Sequence, residues 1–249
     1  MIDYQCNICG CRNRCDPASL GRETPDCKGC GSSVRMRSVI GLLSQGLFGR
    51  LLPIDEFPRS GEVHGIGLSD WEPYASRLGR RIRYQNTFYH QEPRLDITRV
   101  DASKAGSCDF ILSADVFEHV APPVSDAFAG AWRLLKPGGL LVLTVPYVVE
   151  TSTTTEHFPD LYDWSLSETD DGRHRLHNRR RDGTTEEFDQ LTFHGGPGTT
   201  LEMRIFSRDS LLAELGAAGF GDVRIAGEAM PEIGVMWQHP WSLPVIARK

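Results

Sequence analysis

Two apolar runs set the pattern of this chain. Asp109–Ser113 and Leu140–Val145 are short, continuous and rich in Ile, Leu and Val, as strands buried on both faces are. Between them Val124, Phe128, Ala131 and Leu135 recur at helical spacing after the break at Pro122-Pro123. Lys136-Pro137-Gly138-Gly139 is expected to stop that helix. Strand, helix, strand is the unit that builds parallel sheet. The alternation continues on both sides. Glu62–Gly67 is expected as a strand, Trp71–Leu78 as a helix and Arg81–Gln85 as a strand. Downstream, Ser207 is a good cap for a helix bearing Leu211, Leu212, Leu215 and Ala218. Asp222–Ala226 and Trp241–Ala247 then read as the last strands. The expected fold class is α/β with a doubly wound sheet.

Nearer the start, Val39, Leu42, Leu43, Leu47 and Leu51 predict an amphipathic helix that Ser32 or Ser33 caps and that ends before Pro53. The pattern before it is different. Six of the seven cysteines lie within the first 30 residues. Cys6-x2-Cys9 and Cys27-x2-Cys30 are two knuckles separated by 17 residues, each followed by a glycine, Gly10 and Gly31. Each knuckle aims two thiolates at one ion, and two knuckles supply the closed tetrahedral set that Zn²⁺ prefers. Cys6, Cys9, Cys27 and Cys30 are therefore the expected ligands of a structural zinc. Cys11 and Cys15 are expected as free thiols, although either could replace Cys9. The expected organisation is a zinc-ribbon-like segment at 1–33, a connecting helix at 34–53 and a main domain at 54–249, with an insertion at about 147–206.

Composition narrows the function classes. Of 249 residues, 40% are hydrophobic and 24% charged, as in a globular protein rather than a disordered one. The formal net charge of −6 disfavours a broad electrostatic grip on nucleic acid. No apolar run is long enough to span a bilayer, and the first residues show no signal-peptide pattern. The protein is expected to be cytoplasmic, with no membrane association. The sequence does not decide its oligomeric state.

The run Cys108–Val120 resembles the fourth-strand motif of class I S-adenosylmethionine-dependent methyltransferases, and Leu134–Pro146 resembles their fifth-strand motif, in the same order and spacing. The C-terminal helix, the Ala218-Gly219-Phe220 turn and the last two strands fit the same family. The resemblance covers roughly residues 60–249. It implies a Rossmann-like, seven-stranded, doubly wound sheet and S-adenosylmethionine as the cofactor. Gly65-Ile66-Gly67-Leu68-Ser69-Asp70 stands where that family places its glycine-rich cofactor turn, but Val63 and Ser69 replace the usual acid and third glycine. By the same resemblance, Gly65, Gly67, Ser69, Asp70, Asn86, Asp96, Ser113 and Ala114 are the candidate cofactor-binding residues, with Asp96 facing the adenine. Asp96 could equally be a loop-capping carboxylate.

Methyl transfer from a sulfonium needs alignment and exclusion of water, and an oxygen or nitrogen acceptor often needs a base. His119, at the end of the fourth-strand motif, is the first candidate base, and His157 and His194 are the second. Each could instead simply hydrogen-bond within its loop. The insertion also carries Tyr162, Trp164, a basic run from Arg173 to Arg181, and Phe193-His194-Gly195-Gly196-Pro197-Gly198, with a hairpin turn expected at Arg181-Asp182-Gly183. The arginines are either a phosphate-binding face or the solvated side of that hairpin. Three functions remain open: a methyltransferase for a sugar, glycan or other small metabolite, an RNA base methyltransferase, and a scaffold that keeps the fold without catalysis. The acidic net charge favours a small-molecule or glycan partner over RNA.

Overall fold

The computed structural model describes residues 1–196 and 198–249; Pro197, in the glycine-rich run of the insertion, lies outside them. In chain order the elements begin with a hairpin, β1 (Ile2–Gln5) and β2 (Arg12–Cys15), followed by α1 (Val34–Phe48). The main sheet starts with β3 (Ser60–Leu68), α2 (Glu72–Gly79) and β4 (Ile82–Thr87), then β5 (Cys108–Ala114), α3 (Ser125–Leu134) and β6 (Leu135–Thr144). The insertion contains β7 (Tyr147–Val148), β8 (Thr155–Glu156), β9 (Asp163–Glu168), β10 (His174–Arg179), β11 (Thr185–Phe188), β12 (Phe193–His194) and β13 (Thr200–Leu201). The chain closes with β14 (Arg204–Ser207), α4 (Arg208–Ala217), β15 (Gly221–Ile225) and β16 (Val245–Arg248).

Among the described residues the main sheet has six strands, in the order β15-β16-β6-β5-β3-β4, where seven were expected. Strands β4, β3, β5 and β6 are mutually parallel, and β16 runs antiparallel between β6 and β15. No seventh strand joins the sheet beyond β4 among the described residues. There the chain runs through Phe88–Val100 in turns and a single bridge between Phe88 and Arg94.

Helices cover both faces, which explains the continuous apolar strands. Along β5 and β6, Phe110, Leu112, Leu140 and Val142 point into one core with α1 and α2, while Ile111, Leu141 and Leu143 point into the other with α3 and α4. The helix expected as a connector is thus half of one layer. Ser33 caps it by accepting from the Met36 amide, and Gly49 ends it in the left-handed conformation. Gly46 lets α1 approach β6 so closely that a side chain there would strike Leu140. The Lys136-Pro137-Gly138-Gly139 run also differs from expectation. Helix α3 has already ended at Leu134, and the run lies inside β6. Gly138 has φ +77, and the backbone of Gly138 and Gly139 bonds that of Lys249 at the chain's end.

The cysteine segment is welded to the main core. Tyr4, Cys6, Ile8 and Leu20 share a cluster with Met230, Ile233 and Val235. Arg37, fully buried, ties Asp26 (2.8 Å) to the Gly234 carbonyl (2.8 Å) and lies over the Tyr4 ring. The insertion has its own small core of Phe158, Leu176, Leu201 and Met203. Its hairpin turns where expected, with Gly183 at φ +89 between Arg180 and Thr184.

Gly65 and Gly67 face the core shared with α1 and α2. A methyl at Gly65 would collide with the Phe110 ring, and one at Gly67 with Tyr84 and Asp70. Gly65→Ala should therefore destabilise the fold by about 1–3 kcal/mol, the usual range for overpacking. Denaturant unfolding measures this; an unchanged midpoint would contradict the packing described.

Candidate active site at the C-terminal edge of the sheet

The parallel strands β3, β4, β5 and β6 end on one edge, where ligands of open α/β sheets bind. Ser69, after β3, adopts φ +55 and donates its amide to the Thr87 carbonyl at the end of β4 (2.7 Å). The next residue, Asp70, is only 5% exposed. Its carboxylate accepts from the hydroxyls of Tyr74 (2.6 Å) and Tyr84. Burial pushes the Asp70 carboxyl up to about 7, against the pull of the two tyrosines. Asn86 brackets the same residue, accepting from the Asp70 amide and donating to its carbonyl, both at 2.8 Å. Asp70 and Asn86, read as cofactor contacts, therefore have their side chains engaged in bracing the turn.

Asp96 caps its own loop. Its Oδ1 accepts from the Thr98 amide (3.0 Å) and hydroxyl (2.7 Å). That is an Asx turn, which leaves the second oxygen free of these bonds. Ser113, at the end of β5, is fully buried with its hydroxyl unpartnered, and Ala114 beside it is half-exposed. An orphaned buried hydroxyl on this edge fits a bound ligand.

Asp115 follows at φ +55. Arg22, from the cysteine segment, grips it with two bonds of 2.8 and 3.0 Å. Arg35, from α1, approaches to 3.2 Å, and Thr144 at the end of β6 donates to it at 2.8 Å. Burial alone would raise the Asp115 carboxyl, but Arg22 and Arg35 outweigh it and hold it below the ordinary carboxylate value. Glu23 links both arginines from outside, and Arg22 also donates to the Ser242 carbonyl (3.0 Å).

Beyond Asp115, the three candidate histidines meet. His119 donates Nδ1–H to the Leu201 carbonyl (2.9 Å), which leaves the lone pair on Nε2. Burial pushes its pKa below the ordinary imidazole value, so it is neutral at pH 7. The His194 ring stands edge-on to it, centroids 4.7 Å apart. Glu202 bridges the rings of His157 (2.9 Å) and His194 (3.1 Å). Glu118 is fully buried, and neither of its carboxylate oxygens has a partner. Burial, then the charge of Asp115, pushes it well above the ordinary carboxylate value. Arg204, also fully buried, fixes this loop by donating to the carbonyls of Phe117 (2.9 Å) and Val120 (2.6 Å), while Met203 N–H binds the Glu118 carbonyl (2.8 Å). Sequence reasoning missed Arg22, Glu202 and Arg204, since none lies in a motif.

At the far end of the cysteine segment, the sulfurs of Cys6, Cys9, Cys27 and Cys30 all lie within 4.8 Å of one another. Two of the separations are 3.8 Å (Cys6–Cys30) and 3.6 Å (Cys9–Cys27). Four thiolates about 2.3 Å from one tetrahedral ion would stand roughly 3.8 Å apart, so the donor set fits zinc. Gly10 and Gly31 turn the knuckles at φ +76 and +72, and Cys11 and Cys15 lie outside the cluster.

Three arginines of the basic run are paired with acids. Arg173 pairs with Asp171, Arg175 with Glu187 and Asp189, and Arg180 with Asp160 and Glu186. Arg181 lies over the Tyr162 ring. The solvated hairpin face is the arrangement found.

Residues 64–143, which span β3 to β6, match the family model described as a methyltransferase domain. No curated protein matches the chain. Among solved structures, a Burkholderia thailandensis 1,6-didemethyltoxoflavin-N1-methyltransferase, with 1,6-didemethyltoxoflavin and S-adenosylhomocysteine bound, aligns at 15% identity over 86% of this chain and 77% of that one, TM-score 0.47. An S-adenosylmethionine-dependent methyltransferase from Mesorhizobium loti aligns at 17% over 78% and 94%, TM-score 0.36. The Haemonchus contortus phosphoethanolamine N-methyltransferase 2 aligns at 14% over 76% and 38%, TM-score 0.41. At these scores no assignment rests on the structural likeness.

The Asp115 clamp has a pH signature. A carboxyl held below its ordinary value stabilises the fold fully above about pH 4, and that contribution is lost as pH falls through the depressed value. Asp115→Asn should remove it at all pH values. The expected cost is about 1–3 kcal/mol, between exposed and buried ion pairs. Amide exchange at residues 16–26 should rise in the variant at pH 7; unchanged exchange and stability would contradict the clamp.

Proposed function

We propose that this chain is an S-adenosylmethionine-dependent methyltransferase of class I, acting on a small-molecule acceptor of the sugar, glycan or natural-product kind. One observation carries the reading. The segment that matches the methyltransferase domain model ends β5 at the unpartnered Ser113 hydroxyl and runs directly into the loop of Glu118 and His119, which meet His194 from the insertion. S-adenosylmethionine would supply the electrophilic methyl group. Ser69, Asp96, Ser113 and Ala114 would contact it, while Gly65, Gly67, Asp70 and Asn86 shape the turn on which it rests. His119, with His157 and His194, forms the acceptor side. These are the proposed catalytic residues, which orient the acceptor and bear on its proton.

Pairing of Arg173, Arg175 and Arg180 with acids supports a small acceptor over RNA, whose phosphates would need free cations. The cysteine cluster is proposed to hold a structural Zn²⁺. With four thiolates it has no open position for substrate, so its part is to fold the segment that delivers Arg22. A second reading, a non-catalytic scaffold, is favoured by the way Asp70, Tyr74, Tyr84 and Asn86 fill the turn after β3.

A methyl-transfer screen with labelled cofactor over nucleotide sugars, glycans, small phenols and RNA tests the main reading. Label should pass to one of the small-molecule classes. Transfer only to RNA would overturn the acceptor assignment, and failure of a zinc-loaded, folded chain to bind S-adenosylmethionine in calorimetry would select the scaffold. His119→Ala should lower turnover roughly 10²-fold or more with cofactor affinity unchanged; equal turnover removes His119 from the reaction. Metal analysis should find about one tightly held zinc per chain, and Cys27→Ser should destabilise residues 1–33. A folded, metal-free chain would refute the zinc site.

A further inference from the structure

A buried carboxylate with two unpartnered oxygens is costly unless something binds it. Glu118 is such a group, fully buried beside His119, with its Oε1 3.6 Å from His119 Nε2. The lone pair of His119 is directed to Nε2, which faces Glu118, because Nδ1–H is committed to the Leu201 carbonyl. His194 completes the group from the insertion. One ligand atom each from Glu118, His119 and His194 lies within 4.8 Å of the others. This spacing brings two imidazoles and a buried carboxyl within reach of one shared cation.

We propose that Glu118, His119 and His194 bind a divalent first-row cation, separate from the cysteine site. Two imidazoles and one carboxylate are a donor set such ions accept, and three protein ligands leave positions open. Nitrogen and oxygen ligands stand about 2.0–2.2 Å from such an ion, so they lie at most about 4.4 Å apart. The observed cluster, with its ligand atoms within 4.8 Å of one another, is close to that size. The surrounding bonds are those of a metal site. His119 is oriented by a carbonyl and His194 by Glu202, whose other oxygen holds His157. The site stands on this geometry alone. That its open positions receive the acceptor's oxygen rests on the methyltransferase reading, and it commits His119 and His194 to act as ligands.

The test titrates Mn²⁺ alone into the full chain with its cysteine site already filled by zinc, following free Mn²⁺ by electron paramagnetic resonance. The expected result is one further saturable equivalent. Glu118→Gln, which keeps shape, and His194→Ala should each abolish saturation. Glu202→Gln should weaken it about 10–100-fold, as loss of an orienting partner does. Asp171→Asn, in the acidic part of the exposed hairpin, should leave it unchanged. Thermal unfolding of each variant identifies any that has not folded. Absence of a saturable second equivalent, or binding that survives in folded Glu118→Gln and His194→Ala, overturns the proposal. No S-adenosylmethionine is present, so the outcome is independent of methyl transfer. Mn²⁺ binding without cofactor binding would sink only the methyltransferase reading, and the reverse only the cation site.

Discussion

One carboxylate gripped by two arginines holds the working edge of this molecule together. Asp115 lies at the end of β5, in a backbone conformation that a non-glycine residue rarely adopts. Arg22 reaches it from the cysteine segment, Arg35 from α1 and Thr144 from β6. Four parts of the chain, distant in sequence, are thereby registered at one point. The neighbouring turn Phe117–Val120 is fixed by Arg204 from the other side. The histidine cluster depends on both anchors, because its members come from that turn and from the insertion. Filling the cysteine cluster with metal would order the loop that carries Arg22, so the ionic contact at Asp115 adds to the apolar packing that already joins the small segment to the main core.

Departures from ordinary stability rules gather along this same edge. Ser69 and Asp115 have positive φ, Ser113 and Glu118 are buried without partners, and Asp70 is a buried carboxylate held by two tyrosines. Strain and unsatisfied polar groups tend to collect where a protein must meet a ligand. At the opposite end of the sheet Lys136 pairs with Asp109, which also accepts from the His64 amide.

Much of the framework is legible in the sequence. Strands β5 and β6 and helix α3 declare themselves by apolar runs and helical spacing, because burial on both faces leaves little freedom in residue choice. The cysteine knuckles are readable for a similar reason, since tetrahedral thiolate geometry constrains spacing. The boundary at Leu134–Leu135 is less visible, because the bulge at Gly138 that lets the strand start early depends on pairing with Lys249. The sixth-strand limit of the sheet is equally hidden in a local reading. His119, His157 and His194 were recognisable one by one as candidates. That Glu202 gathers two of them beside the third is a tertiary fact with no local signal. The arginine run shows the converse: its local charge suggests an anion site, but nearby acids pair with Arg173, Arg175 and Arg180.

The C-terminal edge between Ser69 and His119 is the proposed meeting place of cofactor and acceptor. Amide hydrogen exchange of the zinc-loaded chain, with and without S-adenosylhomocysteine, addresses it most directly. Protection is expected at Ser69–Asp70, Asp96–Thr98 and Ser113–Val116, with little change in the exposed hairpin of β10 and β11. Protection confined to other segments, or none at saturating ligand, would contradict the account.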